Sequence, residues 1–260
     1  MPIPQPIDPT ADALFLDFDG TLVRFVDDPQ AVAIDRHALD TLLMLKEQLS
    51  GALAIVSGRR IADLDRFLTP LSFAAAGVHG LETRSAPGAP VESSAGPRTL
   101  DGVRASLEKA VAAQPALKLE DKGTALVLHY RERPDLEAEA RAIMAAAVAG
   151  RGDLSVMHGN RIVEVHPAGM DKGNAVRRLM EAAPFAGRRP VYVGDDTTDE
   201  FAMRVVAEMG GLAVKVGDGE TAANARLDDV GAVHRWLAGA LPLSSPASVA
   251  DNSMKSASHD

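Results

Sequence analysis

The chain has 260 residues, 46% of them hydrophobic, which is enough for one large domain or a domain carrying a smaller inserted one. Cysteine is absent, so disulfides and thiolate metal sites are excluded and any metal falls to oxygen or imidazole ligands, which favours a hard cation. With 36 acidic against 27 basic residues and a formal net charge of -9, nucleic acid is not an expected partner. No apolar run approaches the ~20 residues of a membrane helix, and the start MPIPQPIDPTAD lacks the basic and apolar regions of a secretory signal, so no membrane association and a cytoplasmic location are expected.

The first ten residues hold four prolines without periodicity and read as a loose end. From there, short apolar runs alternate with segments of helical period, the pattern of a parallel sheet covered on both faces. The runs are Ala13 to Leu16, Leu53 to Val56, Phe73 to Ala76, Val191 to Val193 and Leu212 to Val216. Leu39, Leu42, Leu43 and Leu49 predict a helix after Asp35, and Val176, Leu179 and Met180 predict one after Asp171; both aspartates suit N-caps. Val233, Trp236, Leu237 and Ala240 share that spacing, which makes the lone Trp a core residue.

Between about Leu81 and Val165 the character changes. A Gly/Pro/Ser-rich link from Ser85 to Gly96 leads to a helix marked by Leu100, Val103, Leu107 and Val111, then to strands around Leu117 to Glu120 and Ala125 to Tyr130. A second helix follows Asp135, with Ile143, Met144, Ala147 and Val148, and then strands around Leu154 to Met157 and Ile162 to Val165. Helix-strand-strand, twice, predicts an α+β unit inserted into the parallel sheet, over the active site. The expected division is core 1–80, insert 81–166, core 167–242 and a disordered tail 243–260.

Asp17-Phe18-Asp19-Gly20-Thr21 follows the first apolar run directly, at a strand's carboxyl end, where ligands bind in open α/β sheets. Residues two apart in extended backbone face one side, so Asp17 and Asp19 address a single spot, and two carboxylates there invite a cation. A solvated strand end and a calcium loop are the competing readings; an EF-hand needs glycine at its sixth position, where Leu22 stands. Ser57-Gly58-Arg59 follows the second run and offers a hydroxyl and backbone N–H groups to phosphate oxygens. Lys172 opens a helix, and Asp195-Asp196-Thr197-Thr198-Asp199-Glu200 follows the run Val191 to Val193 with carboxylates suited to a hard cation. In the insert, Lys118, Glu120 and Lys122 share one phase, as do His129 with Arg131 and Ile162 with Glu164 and His166, so one face of its sheet is polar. That face either meets water or hydrogen-bonds a polyol.

The ordered set DFDGT, SGR, Lys172 and GDDTTD resembles the haloacid dehalogenase superfamily over nearly the whole chain. The resemblance implies a Rossmann-like parallel-sheet α/β core with an α+β type-two cap. It implies further that Asp17 attacks phosphorus, that Asp19 protonates the leaving alkoxide and then activates water, and that Thr21, Ser57 and Lys172 hold the transferring group. Mg2+ would be bound by Asp17, the main-chain carbonyl of Asp19 and Asp195, with Asp199 orienting ligands or waters. Gly20, Gly58 and Arg59 are counted with the substrate-binding groups; Arg59 either orients the phosphate site or pairs with an acidic neighbour.

Gly77-Val78-His79-Gly80, Leu119-Glu120-Asp121-Lys122, His129-Tyr130-Arg131 and Val163-Glu164-Val165-His166-Pro167 sharpen the resemblance to the trehalose-6-phosphate phosphatases. This implies that Glu120, Lys122 and Glu164 contact sugar hydroxyls, with His79 near the cap junction, in the last step of trehalose biosynthesis, and that a trehalose-6-phosphate synthase is a pathway neighbour. Phosphatases for sucrose-phosphate or mannosylglycerate-phosphate, a hexose-phosphate mutase and a silent sugar-phosphate-binding module share the core motifs as alternatives.

Overall fold

The structure is a computed structural model that describes residues 1–26, 31–93, 99–159 and 161–241. The tail expected over 243–260 and part of the link before Gly96 lie outside the described residues.

The first strand, β1 (Asp12–Leu16), is buried along its whole length, as a strand covered on both faces must be. It is followed by α1 (Arg36–Gln48), β2 (Leu53–Val56), α2 (Ile61–Leu68) and β3 (Ala74–Gly77). As its spacing predicts, α1 starts at Asp35, whose carboxylate accepts the N–H groups of His37 and Ala38 at 2.9 and 3.2 Å. It buries Leu39, Leu42 and Leu45. Next come two short strands, β4 (Glu82–Arg84) and β5 (Glu92–Ser93), and then the inserted unit: α3 (Asp101–Ala113), β6 (Lys118–Asp121), β7 (Leu126–His129), α4 (Glu137–Ala147), β8 (Leu154–Gly159) and β9 (Ile162–Pro167). The chain returns through α5 (Lys172–Met180), β10 (Arg189–Gly194), α6 (Asp199–Glu208), β11 (Leu212–Val216), β12 (Ala225–Leu227) and α7 (Val230–Gly239).

The large sheet has the order β12-β11-β10-β1-β2-β3-β4-β5, parallel from β12 through β3. Successive strands step away from β1 on one side, and after the insert the chain comes back to β10 on the other. The gap between β1 and β10 is therefore the topological switch point, where a cleft opens beyond the carboxyl ends. The insert forms a separate antiparallel sheet, β6-β7-β9-β8, with its own cluster of Leu107, Leu126, Leu128, Met144, Val163 and Val165 under α3 and α4.

Two expectations are corrected. The sequence pattern assigns everything after Leu81 to the insert, yet β4 and β5 extend the large sheet antiparallel to β3. Partners in the core take up the two charged side chains of β4: Glu82 accepts the N–H of Ile61 at 2.8 Å, and Arg84 donates to the Phe73 carbonyl at 2.9 Å and to Asp65. The N-terminal residues, expected loose, are held down. Pro4 and Ile7 are buried, the Arg226 N–H donates to the Pro2 carbonyl at 3.1 Å, and Trp236 Nε1 donates to the Gln5 carbonyl at 3.1 Å. Trp236 itself packs, half-buried, against the main core. Proline-rich sequence shows no period, but it exposes carbonyls that a neighbouring donor can use.

If this anchorage contributes to stability, Ile7→Ala lowers the unfolding free energy by about 2–4 kcal/mol in a denaturant titration. A change under ~0.5 kcal/mol would return the segment to the loose end that its composition suggests.

Candidate active site

Each predicted element arrives at the carboxyl edge of the large sheet. Asp17 follows β1 and its N–H donates to the Val193 carbonyl of β10 at 2.9 Å, while the Ser57 N–H after β2 donates to Ala76 at 2.9 Å. Lys172 is the first residue of α5, whose N-cap Asp171 accepts the Asn174 N–H at 2.8 Å. Asp195 follows β10, and Asp199 opens α6.

Lys172 is 3% exposed and lies between two carboxylates, donating to Asp17 at 2.7 Å and to Asp199 at 2.6 Å. Burial works against its ammonium, but Asp17 and then Asp199 outweigh it and keep the lysine charged. Burial pushes the Asp17 carboxyl well above the ordinary carboxylate range, and the charge of Asp199 adds to it. Asp195 is pushed up to about 6, by burial first and Asp199 next. One ammonium thus faces more negative charge than it can neutralise.

The donors fit a hard cation. Asp17, Asp195 and Asp199 each offer a carboxylate oxygen, all within 4.8 Å of one another. They are not equivalent. Asp199 Oδ1 accepts from Lys172 and from Tyr192 Oη, each at 2.6 Å, and its Oδ2 accepts the N–H groups of Asp195 and Asp196 at 2.9 and 2.8 Å. Four donors fill the lone pairs of one carboxylate, so Asp199 fixes the loop that carries Asp195.

Around this centre three further residues of the predicted site make contacts with its aspartates. Gly20, counted with the substrate-binding groups, stands at φ +81°, and a Cβ there would overlap the Asp195 carboxylate; the glycine admits Asp195 to the cluster. Thr21, expected to hold the transferring group, is fully buried and donates to Asp195 Oδ1 at 3.3 Å. Arg59 pairs with an acidic neighbour: its Nε and Nη2 reach both oxygens of Asp19 at 2.6 and 2.7 Å. The guanidinium also lies 5.5 and 5.0 Å from the ring centroids of Phe18 and Phe67.

A cavity of about 250 Å³ brings the remaining predicted residues together: Asp17, Asp19, Ser57, Gly58, Arg59, His79, Glu120, Lys122, Glu164 and Lys172 all line it. Its far wall is one face of the small sheet. Cross-strand pairing sets Glu120, Val127, Glu164 and Met157 in a row across all four strands, with His129, Ile162 and Gly159 in the next row. The face is less polar than the phase of Glu120 and Glu164 suggests, because Val127, Met157 and Ile162 interleave. Lys122 lies beyond the end of β6, and its Nζ donates to Glu164 and to the Gly58 carbonyl, both at 3.0 Å. Glu164 is 1% exposed, and its Oε1 has no hydrogen-bond partner. His79, at φ +54°, packs against Gly58, and burial drives its ring down to about 4, so it is neutral near pH 7. Glu120 is more exposed and bonds His129 Nε2 at 2.8 Å.

Sequence reasoning missed Tyr192 and Lys215, which lie inside the runs Val191 to Val193 and Leu212 to Val216. Their signal was available: a hydroxyl and an ammonium in otherwise apolar, buried strands need partners. The cavity also takes in Phe25 and Val26, beyond the aspartate motif.

The profile of the trehalose-phosphatase family matches residues 15–230. A probable trehalose-phosphate phosphatase of Sinorhizobium fredii is 40% identical over 79% of this chain and 77% of its own length. The trehalose-6-phosphate phosphatase of Escherichia coli is 37% identical over 86% of this chain and 85% of its own. Among solved structures, the C-terminal domain of the C. albicans trehalose-6-phosphate phosphatase superposes with a TM-score of 0.74 at 25% identity, covering 89% of this chain and 93% of that one.

Gly20→Ala tests the carboxylate cluster. The added methyl must displace Asp195, and a shift near 1 Å costs roughly 10²-fold in turnover while the fold persists. Turnover within threefold of the unaltered protein would mean that Asp195 need not sit against Gly20.

Proposed function

Because the chain belongs to the trehalose-phosphatase family, we propose that it hydrolyses trehalose 6-phosphate to trehalose and phosphate through an aspartyl phosphate, an acyl phosphate on Asp17. The observation that carries the reading is the buried Lys172, held between Asp17 and Asp199 beside a cavity whose far wall bears Glu120 and Glu164. A carboxylate is a weak nucleophile until its repulsion from a phosphate dianion is cancelled, and Lys172 lies where it would do so.

In the first half-reaction an oxygen of Asp17 bonds to phosphorus as the bond from phosphorus to the sugar oxygen breaks, and that oxygen takes a proton from Asp19. In the second, Asp19 takes a proton from water, the water oxygen bonds to phosphorus, and the bond to Asp17 breaks to release phosphate. Ser57 and the N–H groups of its turn would hold the phosphoryl oxygens. Magnesium is the cation we propose, held by Asp17, Asp195 and the main-chain carbonyl of Asp19; when bound it supplies the positive charge that lets two anions meet. Asp199 orients Asp195 and Lys172.

The insert, from about residue 99 to 166, would act as the cap. Glu164 Oε1, buried without a hydrogen-bond partner, would accept from a sugar hydroxyl, and Lys122 and Glu120 flank it. The interleaved Val127, Met157 and Ile162 suit the apolar faces of pyranose rings. A phosphorylated disaccharide does not cross a bilayer unaided, so the reading carries a cytoplasmic setting shared with a synthase as supplier. Among the described residues no helix is long and apolar enough to cross a membrane.

Phosphate release from a panel of phosphorylated sugars, with magnesium present, tests the assignment: trehalose 6-phosphate is turned over with the highest kcat/KM, and Asp17→Asn abolishes release while circular dichroism is unchanged. Preference for sucrose- or mannosylglycerate-phosphate would overturn the substrate, and an active Asp17→Asn the mechanism. Replacing Glu120, Lys122 or Glu164 by Ala removes hydrogen bonds to charged groups worth roughly 1.5–3 kcal/mol each, so kcat/KM for trehalose 6-phosphate falls about 10- to 150-fold. An aryl phosphate too small to reach them loses little. Lys122 and Glu164 share a hydrogen bond, so their combined loss is smaller than the sum. Equal losses on both substrates would mark the face as structural.

A further inference from the structure

Lys215 is 5% exposed in the strand Leu212–Val216, whose remaining residues are all apolar. A buried ammonium is retained only where partners compensate its desolvation. Lys215 stands opposite Gly194 in the register of β10 and β11, at the carboxyl end of the sheet. From there its Nζ donates to the main-chain carbonyl of Asp195 and lies 3.8 Å from Glu200 Oε1. Glu200 Oε2 in turn accepts the N–H of Ala222 at 2.8 Å.

We propose that Lys215 is a positioning residue that locks Asp195 in the geometry that binds the divalent cation. The inference rests on the metal reading given above. Asp195 is gripped on three sides: its N–H donates to Asp199 Oδ2, its carboxylate accepts from Thr21, and its carbonyl accepts from Lys215. The first two contacts come from the motifs that bear the acidic cluster itself. Lys215 comes from a neighbouring strand with no other part in the site, and it clamps the one backbone group that the motifs leave to be held. The position carries an internal opposition, which makes the inference testable by sign. As a bare positive charge near the cluster, Lys215 would weaken cation binding, and its removal would tighten it. As an anchor, its removal frees the Asp195 peptide and loosens binding.

The test uses the full chain with Lys215→Met, which keeps the apolar stem, and Lys215→Gln, which keeps a donor without the charge. Magnesium binding is read directly, as the concentration giving half of the metal-induced rise in Tm, and separately as the magnesium dependence of phosphate release. Loss of a group that orients a metal ligand typically costs about 10- to 100-fold in metal affinity, and that is the shift expected for Lys215→Met. At saturating magnesium kcat is expected within a few-fold of the unaltered enzyme, and Lys215→Gln is expected to fall between the two. An unchanged midpoint with a lowered Tm would make Lys215 purely structural, and a lowered midpoint would make it a charge and not an anchor; either overturns the proposal. Should Lys215→Met fail to fold, the midpoint of Lys215→Gln decides in the same way. An unaltered protein whose Tm and turnover ignore magnesium would overturn the metal reading, and this inference with it.

Discussion

The structure is organised around one electrostatic problem: several carboxylates have to converge in a place from which water is largely excluded. Two like charges 4 Å apart repel by about 4 kcal/mol at an effective dielectric of 20, so such a cluster scatters unless something holds it. Lys172 supplies the central charge. Backbone N–H groups and the Tyr192 hydroxyl saturate Asp199, and burial followed by the charge of Asp199 keeps that hydroxyl protonated and donating. Gly20 and Gly194 give the space, since a Cβ at either would strike an aspartate of the cluster. The parallel sheet is what makes this possible, because β1 and β10 are buried, paired in register and rigid enough to present their ends against repulsion.

On the proposed function, the second unit would meet a different problem. A phosphoryl group can be recognised by charge alone, but a neutral polyol offers only hydroxyls and the apolar faces of its rings. The row Glu120, Val127, Glu164 and Met157 offers acceptors and apolar surface in alternation across four strands, where neighbouring positions stand about 5 Å apart. The Leu126, Leu128, Val163 and Val165 side chains on the opposite face give that row a packed foundation.

The alternation of strand and helix was legible because it depends on period, and the acidic motifs were legible because they interrupt that period at strand ends. Asp35 and Asp171 cap helices as their positions suggest. What escaped depends on three-dimensional partners. Thr21 and Gly20 sit in the motif that advertises them, yet whether they serve substrate or Asp195 is decided by a loop some 170 residues later in the chain. In sequence Glu82 and Arg84 look like charges that face water, yet Ile61, Asp65 and Phe73 take up their hydrogen bonds. Tyr192 and Lys215 were absorbed into apolar runs because a single polar atom barely alters a strand's pattern. The choice left open for Arg59 closes on Asp19, a pairing that no spacing encodes.

The turn Ser57-Gly58-Arg59 is where the two problems meet. Its serine faces the proposed phosphoryl site, its arginine grips Asp19, and its Gly58 carbonyl accepts from Lys122 of the inserted unit. His79 fills the space that Gly58 leaves; its N–H donates to the Ser57 carbonyl at 3.1 Å, and its Nε2 lies 3.7 Å from Glu164. On the reading proposed above, a sugar engaging Lys122 and Glu164 would act on groups one contact away from those that would move protons and hold phosphate. Binding energy gained far from phosphorus raises the rate only if it is expressed in the order of the reacting groups, and a shared turn provides a short route for that expression. One of the contacts that join the inserted unit to the core is made to the Gly58 main-chain carbonyl, an acceptor fixed by the backbone of the turn.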